Sequence, residues 1–156
     1  MLDEKSQKIL DLLQKNAKLT SRQISKKLLV PITTVHNRIK KMEKEGYIKG
    51  YVALIDHRKL GKEILSFILV TVRYYTADGD HISQEDLART ISRLPPVEEI
   101  YIVTGGTDII IKVRVKNIDE LNQFVIHDLR NIEGVENSQT MIVLSANEAQ
   151  QGKKKL

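Results

Sequence analysis

Between Leu19 and Glu45 the chain reads LTSRQISKKLLVPITTVHNRIKKMEKE, and this stretch limits the possible folds more than any other. Thr20 and Gln23 have the spacing of a capping box, in which each side chain satisfies the other's backbone amide at a helix start. Leu19 before the cap and Ile24 beyond it can close as a hydrophobic staple. Leu29 and Val30 supply a turn, and Pro31 suits the first position of a further helix, where its missing N–H costs nothing. That helix repeats Ile32, Val35, Ile39 and Met42 at steps of 3, 4 and 3 residues, giving one apolar stripe, and Gly46 ends it. An earlier helix is expected from an Asp3 N-cap to about Asn16, burying Ile9, Leu10, Leu13 and Ala17. Two short helices around a tight turn make a helix-turn-helix, whose second helix can lie in a DNA major groove.

The charge distribution agrees. Residues 1–50 carry 12 Lys+Arg against 5 Asp+Glu, a net +7, whereas residues 51–150 carry 10 against 15, a net −5. A basic module that meets a polyanion, joined to an acidic module with another task, fits this asymmetry better than an evenly solvated surface. At about 100° per residue, Thr33, Thr34, Asn37, Lys41 and Lys44 lie opposite the apolar stripe of the reading helix, and His36, Arg38 and Lys40 flank it. Asn37 can bond adenine N6 and N7, and a Thr33 or Thr34 methyl can meet a thymine methyl. Arg22, Lys40, Lys41 and Lys44 are suited to phosphates, which give affinity and salt dependence rather than sequence choice. His36 is either a phosphate contact or a solvated side chain. Thr20, Ser21 and Arg38 complete the expected DNA-facing set.

From Ile64 onward the periodicity changes. Ile64–Tyr75 reads as a strand, Thr76–Ser83 as a loop, and Gln84–Leu94 as a helix stopped by Pro95-Pro96. Val97–Val103 and Asp108–Val115 read as a hairpin around Gly105-Gly106-Thr107. Asn117 with Glu120 starts a last helix that turns Leu121, Phe124, Val125, Leu129 and Ile132 inward and is closed by Gly134. Val135–Leu144 is the final strand. The order βαββαβ is that of a ferredoxin-like sandwich, so the chain is expected to be α+β. Its expected parts are a helix-turn-helix domain of winged-helix-like type (1–50), a linker strand or hinge (51–63), a ferredoxin-like effector-binding and oligomerisation domain (64–147), and a basic disordered tail (148–156).

Strand alternation puts Ile68, Val70, Val72, Ile100, Ile102, Ile109, Ile111, Val113, Ile142 and Leu144 under the helices. The opposite face collects Phe67, Leu69, Thr71, Tyr101, Val103, Ile110, Met141 and Val143. An apolar face with no third layer in the sequence to cover it points to a second copy of the same sheet. A two-fold dimer would also present two reading helices, as a palindromic site requires.

Several function classes fall away. With no cysteine, the chain has no disulfide framework, thiol catalysis or thiolate metal site. Its longest apolar run, Ile64–Val72, is interrupted by Ser66 and Thr71 and is far short of the roughly 20 residues that span a bilayer. Residues Asp3, Glu4 and Lys5 do not resemble a secretory signal, so a cytoplasmic location without membrane contact is expected. No catalytic motif, metal site or cofactor is expected.

The chain resembles the Lrp/AsnC (leucine-responsive, feast/famine) regulators, the archaeal members in particular. The likeness rests on LDEKSQKILDLLQKNAKLTSRQISKKL, TTVHNRIKKMEKEGYIKGYVALID, the linker RKLG, LPPVEEIYIVTGGTDIIIKVRVKNIDELNQF and IEGVENSQTMIVL, in the family's order and spacing. The resemblance implies a DNA-binding transcriptional regulator that dimerises through the C-terminal sandwich and assembles further, to tetramers or octamers. It also implies a small effector, usually an amino acid, held between subunits near the turn Thr104-Gly105-Gly106-Thr107-Asp108. Glycine amides can approach a carboxylate there and Asp108 can take an ammonium; alternatively the glycines only make a hairpin that Asp108 caps. Ser138 and Thr140 on the last strand are added to this pocket. Thr107 stands where many members carry an aromatic residue.

Two rivals share the architecture. One resembles the siroheme decarboxylases, which need a tetrapyrrole pocket, but His36, His57, His81 and His127 are scattered with no paired spacing. The other is an amino-acid sensor that acts without DNA.

Overall fold

The computed structural model describes residues 2–145, so the expected basic tail lies outside the described residues. These fall into two compact units that divide between Ile55 and Asp56.

In the first unit, α1 (Glu4–Lys15) starts at Asp3, whose carboxylate accepts the Ser6 amide at 2.8 Å. The backbone turns extended at Asn16, one residue before Ala17 could join the stripe, so Ala17 is exposed rather than buried as expected. Both halves of the capping box form at the start of α2 (Ser21–Leu28): the Gln23 amide donates to Thr20 Oγ1 at 3.2 Å and the Thr20 amide to Gln23 Oε1 at 2.9 Å. Leu29 ends α2 in the left-handed region (φ 53°) with 91% of its surface exposed. That conformation costs a residue with a Cβ about 1–2 kcal/mol, and Leu29 itself packs on nothing. The tight turn is therefore held by its neighbours, Leu28 and the buried Val30. Pro31 stands one place before α3 (Ile32–Lys44), at the N-cap rather than the first helical position. Ile9, Leu13, Ile24, Val30, Val35 and Met42 form the core of this trihelical unit. Of the linker strand or hinge expected over 51–63, the strand is not formed: that stretch contains only the 3₁₀ turn Arg58–Leu60, and none of its residues pairs in a ladder.

In the second unit, β1 (Ile64–Val72), β2 (Val97–Ile102), β3 (Ile109–Val115) and β4 (Val135–Ile142) make one antiparallel sheet in the order β2-β3-β1-β4. With α4 (Gln84–Ser92) and α5 (Ile118–Gln123) this is the ferredoxin-like topology. The last helix is not uniform: α5 gives way to a π-helical turn over Phe124–Leu129. Asn117 caps it as expected, accepting the Glu120 amide at 2.9 Å, while Glu120 reaches back to the Lys116 amide at 2.7 Å. Ile68, Val70, Val72, Ile109, Ile111, Val113 and Val115 face Leu87, Ile91, Phe124 and Leu129 across the core. Gly134, at φ +98°, lets the chain re-enter the sheet; a Cβ there would lie 2.9 Å from Ile82 Cγ2.

The strands stop earlier than their apolar pattern. Ile102 and Ile142 point to the helix side by register but sit at strand ends on the two edge strands, and they stay 45% and 44% exposed. Leu144 lies beyond β4 and is almost fully exposed. On the opposite face the register aligns Leu65 with Arg114, Phe67 with Lys112 and Met141, and Leu69 with Ile110 and Gln139. Val103 and Val143, expected on that face, lie outside the strands. The open face is therefore divided. An apolar stripe of Leu65, Phe67, Leu69, Ile110 and Met141 runs beside an ionic patch.

That patch is made by a break in register between Val97 and Glu99, which sets both acidic side chains near β3. Lys112 Nζ lies 2.7 Å from Glu99 and 3.6 Å from Glu98, and Arg114 Nε lies 2.7 Å from Glu98. Lys112 and then the Tyr101 hydroxyl hold the Glu99 carboxyl below its usual range, and Glu99 in turn raises Lys112.

Candidate nucleic-acid interface and effector site

The burial of α3 is turned relative to its sequence stripe. Val35 and Met42 are buried and Ile39 half-buried, but Ile32 is 45% exposed, while Thr34 and Arg38 on the other flank are half-buried. At about 100° per residue this rotates the outward face by roughly 30°, toward Ile32 and His36 and away from Thr34. The reason lies in α1. Arg38 reaches across to the N-cap of α1, where its guanidinium pairs with the Asp3 carboxylate and donates to Ser6 Oγ at 2.8 Å. The guanidinium, then the Ser6 amide, holds the Asp3 carboxyl well below the usual carboxylate range. Arg38 therefore ties α3 to α1 and is not presented to a phosphate, a correction to the expected DNA-facing set.

The remaining members of that set lie on α2, its N-cap and α3. Arg22, Thr33, His36, Asn37, Lys40 and Lys41 are exposed, and Ser21 and Thr34 are half-buried. Thr20 is exposed, but its hydroxyl is committed to the capping box. Among the described residues neither Arg22, Lys40 nor Lys44 is paired with a carboxylate, and Lys41 has only a loose 3.7 Å approach to Glu45. Ser21, Ile32, Thr33, His36 and Asn37 line a shallow depression of about 340 Å³ at the N-terminal end of α3. A surface of uncommitted cations around small hydrogen-bonding groups suits a polyanion with readable base edges.

The residues expected to hold an effector fall into two groups. The Val103 amide donates to the Asp108 carbonyl at 2.8 Å, closing the turn, and Gly105 takes φ +119°, which only glycine adopts freely. The Asp108 side chain is turned inward. Its Oδ2 accepts the Val72 amide at 2.8 Å, and its Oδ1 accepts the Tyr74 hydroxyl at 2.7 Å and the Gln84 amide nitrogen at 3.0 Å. Gln84 also donates to the Tyr74 oxygen at 2.7 Å. Asp108 thus joins the end of β1, the start of α4 and the turn, contacts with distant elements that spacing alone could not show. The Tyr74 hydroxyl is correspondingly held above its usual pKa by the Asp108 carboxylate.

Ser138 lies elsewhere on the same end of the sheet. It is opposite Val70, across β1 from Ile109, and lines a depression of about 340 Å³ with Arg130, Val135, Glu136 and Asn137. Arg130 Nε donates to Ser138 Oγ at 3.3 Å. Thr140, opposite Ile68, is deeper in the sheet, half-buried and outside that depression. Thr104, Gly105, Gly106 and Thr107 line neither depression. Arg130 was not singled out from sequence because it meets Ser138 only when the chain returns as β4. Among the described residues no group of His, Asp or Glu side chains is arranged to hold a metal ion, and no helix is long and apolar enough to cross a membrane.

Comparison with known proteins gives this geometry a family. The Lrp/AsnC ligand binding domain matches residues 66–150, and a winged helix-turn-helix DNA-binding domain matches residues 2–49. The chain belongs to the Lrp/AsnC family. It is 40% identical to the HTH-type transcriptional regulator FL11 of Pyrococcus horikoshii over 92% of this chain and 89% of that one. Among solved structures it is similar to transcriptional regulator NMB0573 of Neisseria meningitidis in complex with L-Met, at 27% identity and TM-score 0.84, covering 93% of this chain and 91% of that one. It is likewise similar to AsnC of E. coli, at 27% identity and TM-score 0.81, covering 94% of each chain. This Lrp/AsnC chain is thus a DNA-binding transcriptional regulator and not an enzyme, and the decarboxylase rival is set aside.

Proposed function

We propose that this regulator reads duplex DNA through the outward face of α3, as a two-fold dimer, under the control of an amino acid. The observation that carries the first part is the coincidence of exposed Thr33 and Asn37 with the uncommitted cations Lys40 and Lys44 on one face of α3, beside exposed Arg22 on α2. Asn37 and Thr33 choose the bases; Arg22, Lys40, Lys41 and Lys44 hold phosphates. The dimer closes over the apolar stripe of the open sheet face, with the Glu98–Glu99–Lys112–Arg114 patch at its margin.

The effector reading is supported by the L-Met complex of the Neisseria relative. In this chain the backbone of the Thr104–Thr107 turn and the Ser138–Thr140 strand are separated by β1. The effector site is then assembled between subunits, one group coming from one subunit and the other group from its neighbour.

The test is an electrophoretic shift on a duplex enriched from random DNA, with sedimentation to fix the number of subunits. Asn37→Ala should weaken binding to the enriched duplex and relax its sequence preference. Lys41→Ala should weaken binding to every duplex and reduce the slope of log affinity on log salt by about one. Equal losses on enriched and random duplex for both variants contradict the assignment, and a sedimenting single subunit contradicts the dimer.

A further inference from the structure

The turned face of α3 leaves one side chain without a role. Ile32 sits at the helix's first position, where the 3-4-3 spacing places it in the core, yet it is 45% exposed and lines the depression formed with Ser21, Thr33, His36 and Asn37. It is the sole purely hydrocarbon side chain of that depression; every other member carries a hydrogen-bonding group. Ile32 lies outside the trihelical core, which closes on Val35 and Met42, and leaves nearly half of a branched hydrocarbon in water.

We propose that Ile32 is a specificity residue that reads the 5-methyl group of a thymine in the major groove. This rests on the proposed DNA-reading role of α3 and adds to it a base that hydrogen-bonding side chains read poorly. Cytosine and thymine differ in the major groove by a donor against an acceptor and by that methyl, and only an apolar surface responds to the methyl itself. Ile32 stands at the N-terminal end of the helix, where helix-turn-helix proteins approach base edges. Four residues on, His36 lies over the same edge of the helix, and Asn37 and Thr33 lie beside it. Ile32 and Asn37 lie five residues apart on α3, so this contact predicts a thymine within about two base pairs of the adenine that Asn37 reads.

The experiment replaces single thymines of the enriched duplex by deoxyuridine, which removes the methyl and leaves every hydrogen-bonding group in place. At one thymine in each half-site the wild type should lose roughly three- to tenfold in affinity, the order expected for withdrawing one methyl from an apolar contact. Ile32→Ala should bind the thymine and uracil duplexes equally. Ile32→Val, which keeps a branched tip, should retain most of the discrimination. Because Ile32 lies outside the core, the variants should fold with only a small fall in thermal midpoint, and the T/U ratio within each variant is independent of its total binding activity. The proposal is overturned if uracil is tolerated by the wild type at every position, or if Ile32→Ala discriminates as well as the wild type. A protein that enriches no sequence at all overturns the DNA reading of α3 and this inference together, whereas indifference to uracil on a tightly bound duplex overturns this inference alone.

Discussion

Ser66 offers a direct measurement of how tightly the C-terminal core is specified. It stands on the helix side of β1, opposite Val113 on one neighbour and Ile142 on the other, with no exposed surface. Its hydroxyl has no hydrogen-bond partner among the described residues. An unsatisfied buried hydroxyl costs about 1–3 kcal/mol relative to its hydrated state. Ser66→Ala removes that cost while changing the packed volume very little. The variant should therefore be more stable by about 1–2 kcal/mol, and its thermal midpoint should rise by about 4–8 °C for each kcal/mol in a unit of this size. Urea unfolding followed by circular dichroism is the assay, and the midpoint should move with no change in slope, since the surface exposed on unfolding is unaltered. Ser66→Thr is the control: it keeps the hydroxyl and adds a methyl to a filled core, so it should lose stability. Equal or lower stability of the alanine variant at unchanged slope would refute the reasoning, because the hydroxyl would then have a partner that repays its burial.

Two further expectations follow from the charged contacts of the sandwich. Asp108→Ala removes the acceptor of three donors, so it should cost about 2 kcal/mol even without effector, and Asp108→Asn should bring the Tyr74 titration back down toward its usual 10; an alanine variant of wild-type stability contradicts the anchoring role. The Glu99 carboxyl is held below its usual 4.5, so its contribution is complete above that pH and is lost as pH falls through the folded value. Glu99 is 43% exposed and screened by solvent, so the loss between about pH 6 and about pH 3 should stay below about 1 kcal/mol. Lys112→Met should flatten this part of the urea-midpoint profile, and an unchanged profile would show that the pair contributes nothing.

The parts of this protein that could be read in advance are those settled within a few residues. Thr20 and Gln23 meet across three positions, Asn117 caps its helix across three, and the glycine turn closes between Val103 and Asp108. Alternation along β1 and β3 is equally local, and it assigned their two faces correctly. The strand order then followed from the βαββαβ sequence of elements, because short connections leave few alternatives. The tertiary structure decided what depends on distant partners. Arg38 meets Asp3 across 35 positions, which removes it from the DNA-facing set and turns α3 so that Ile32 and His36 face outward while Thr34 withdraws. The register break beside Glu99 put ions on a face whose alternation looked apolar, and Asp108 found its donors on β1 and α4. Helical and strand periodicities record which side of an element is apolar, and short-range hydrogen bonds record where it begins and ends. Which charged side chain is consumed inside the protein, and which is left for a partner, depends on contacts between elements far apart in the chain, and no local pattern carries that information.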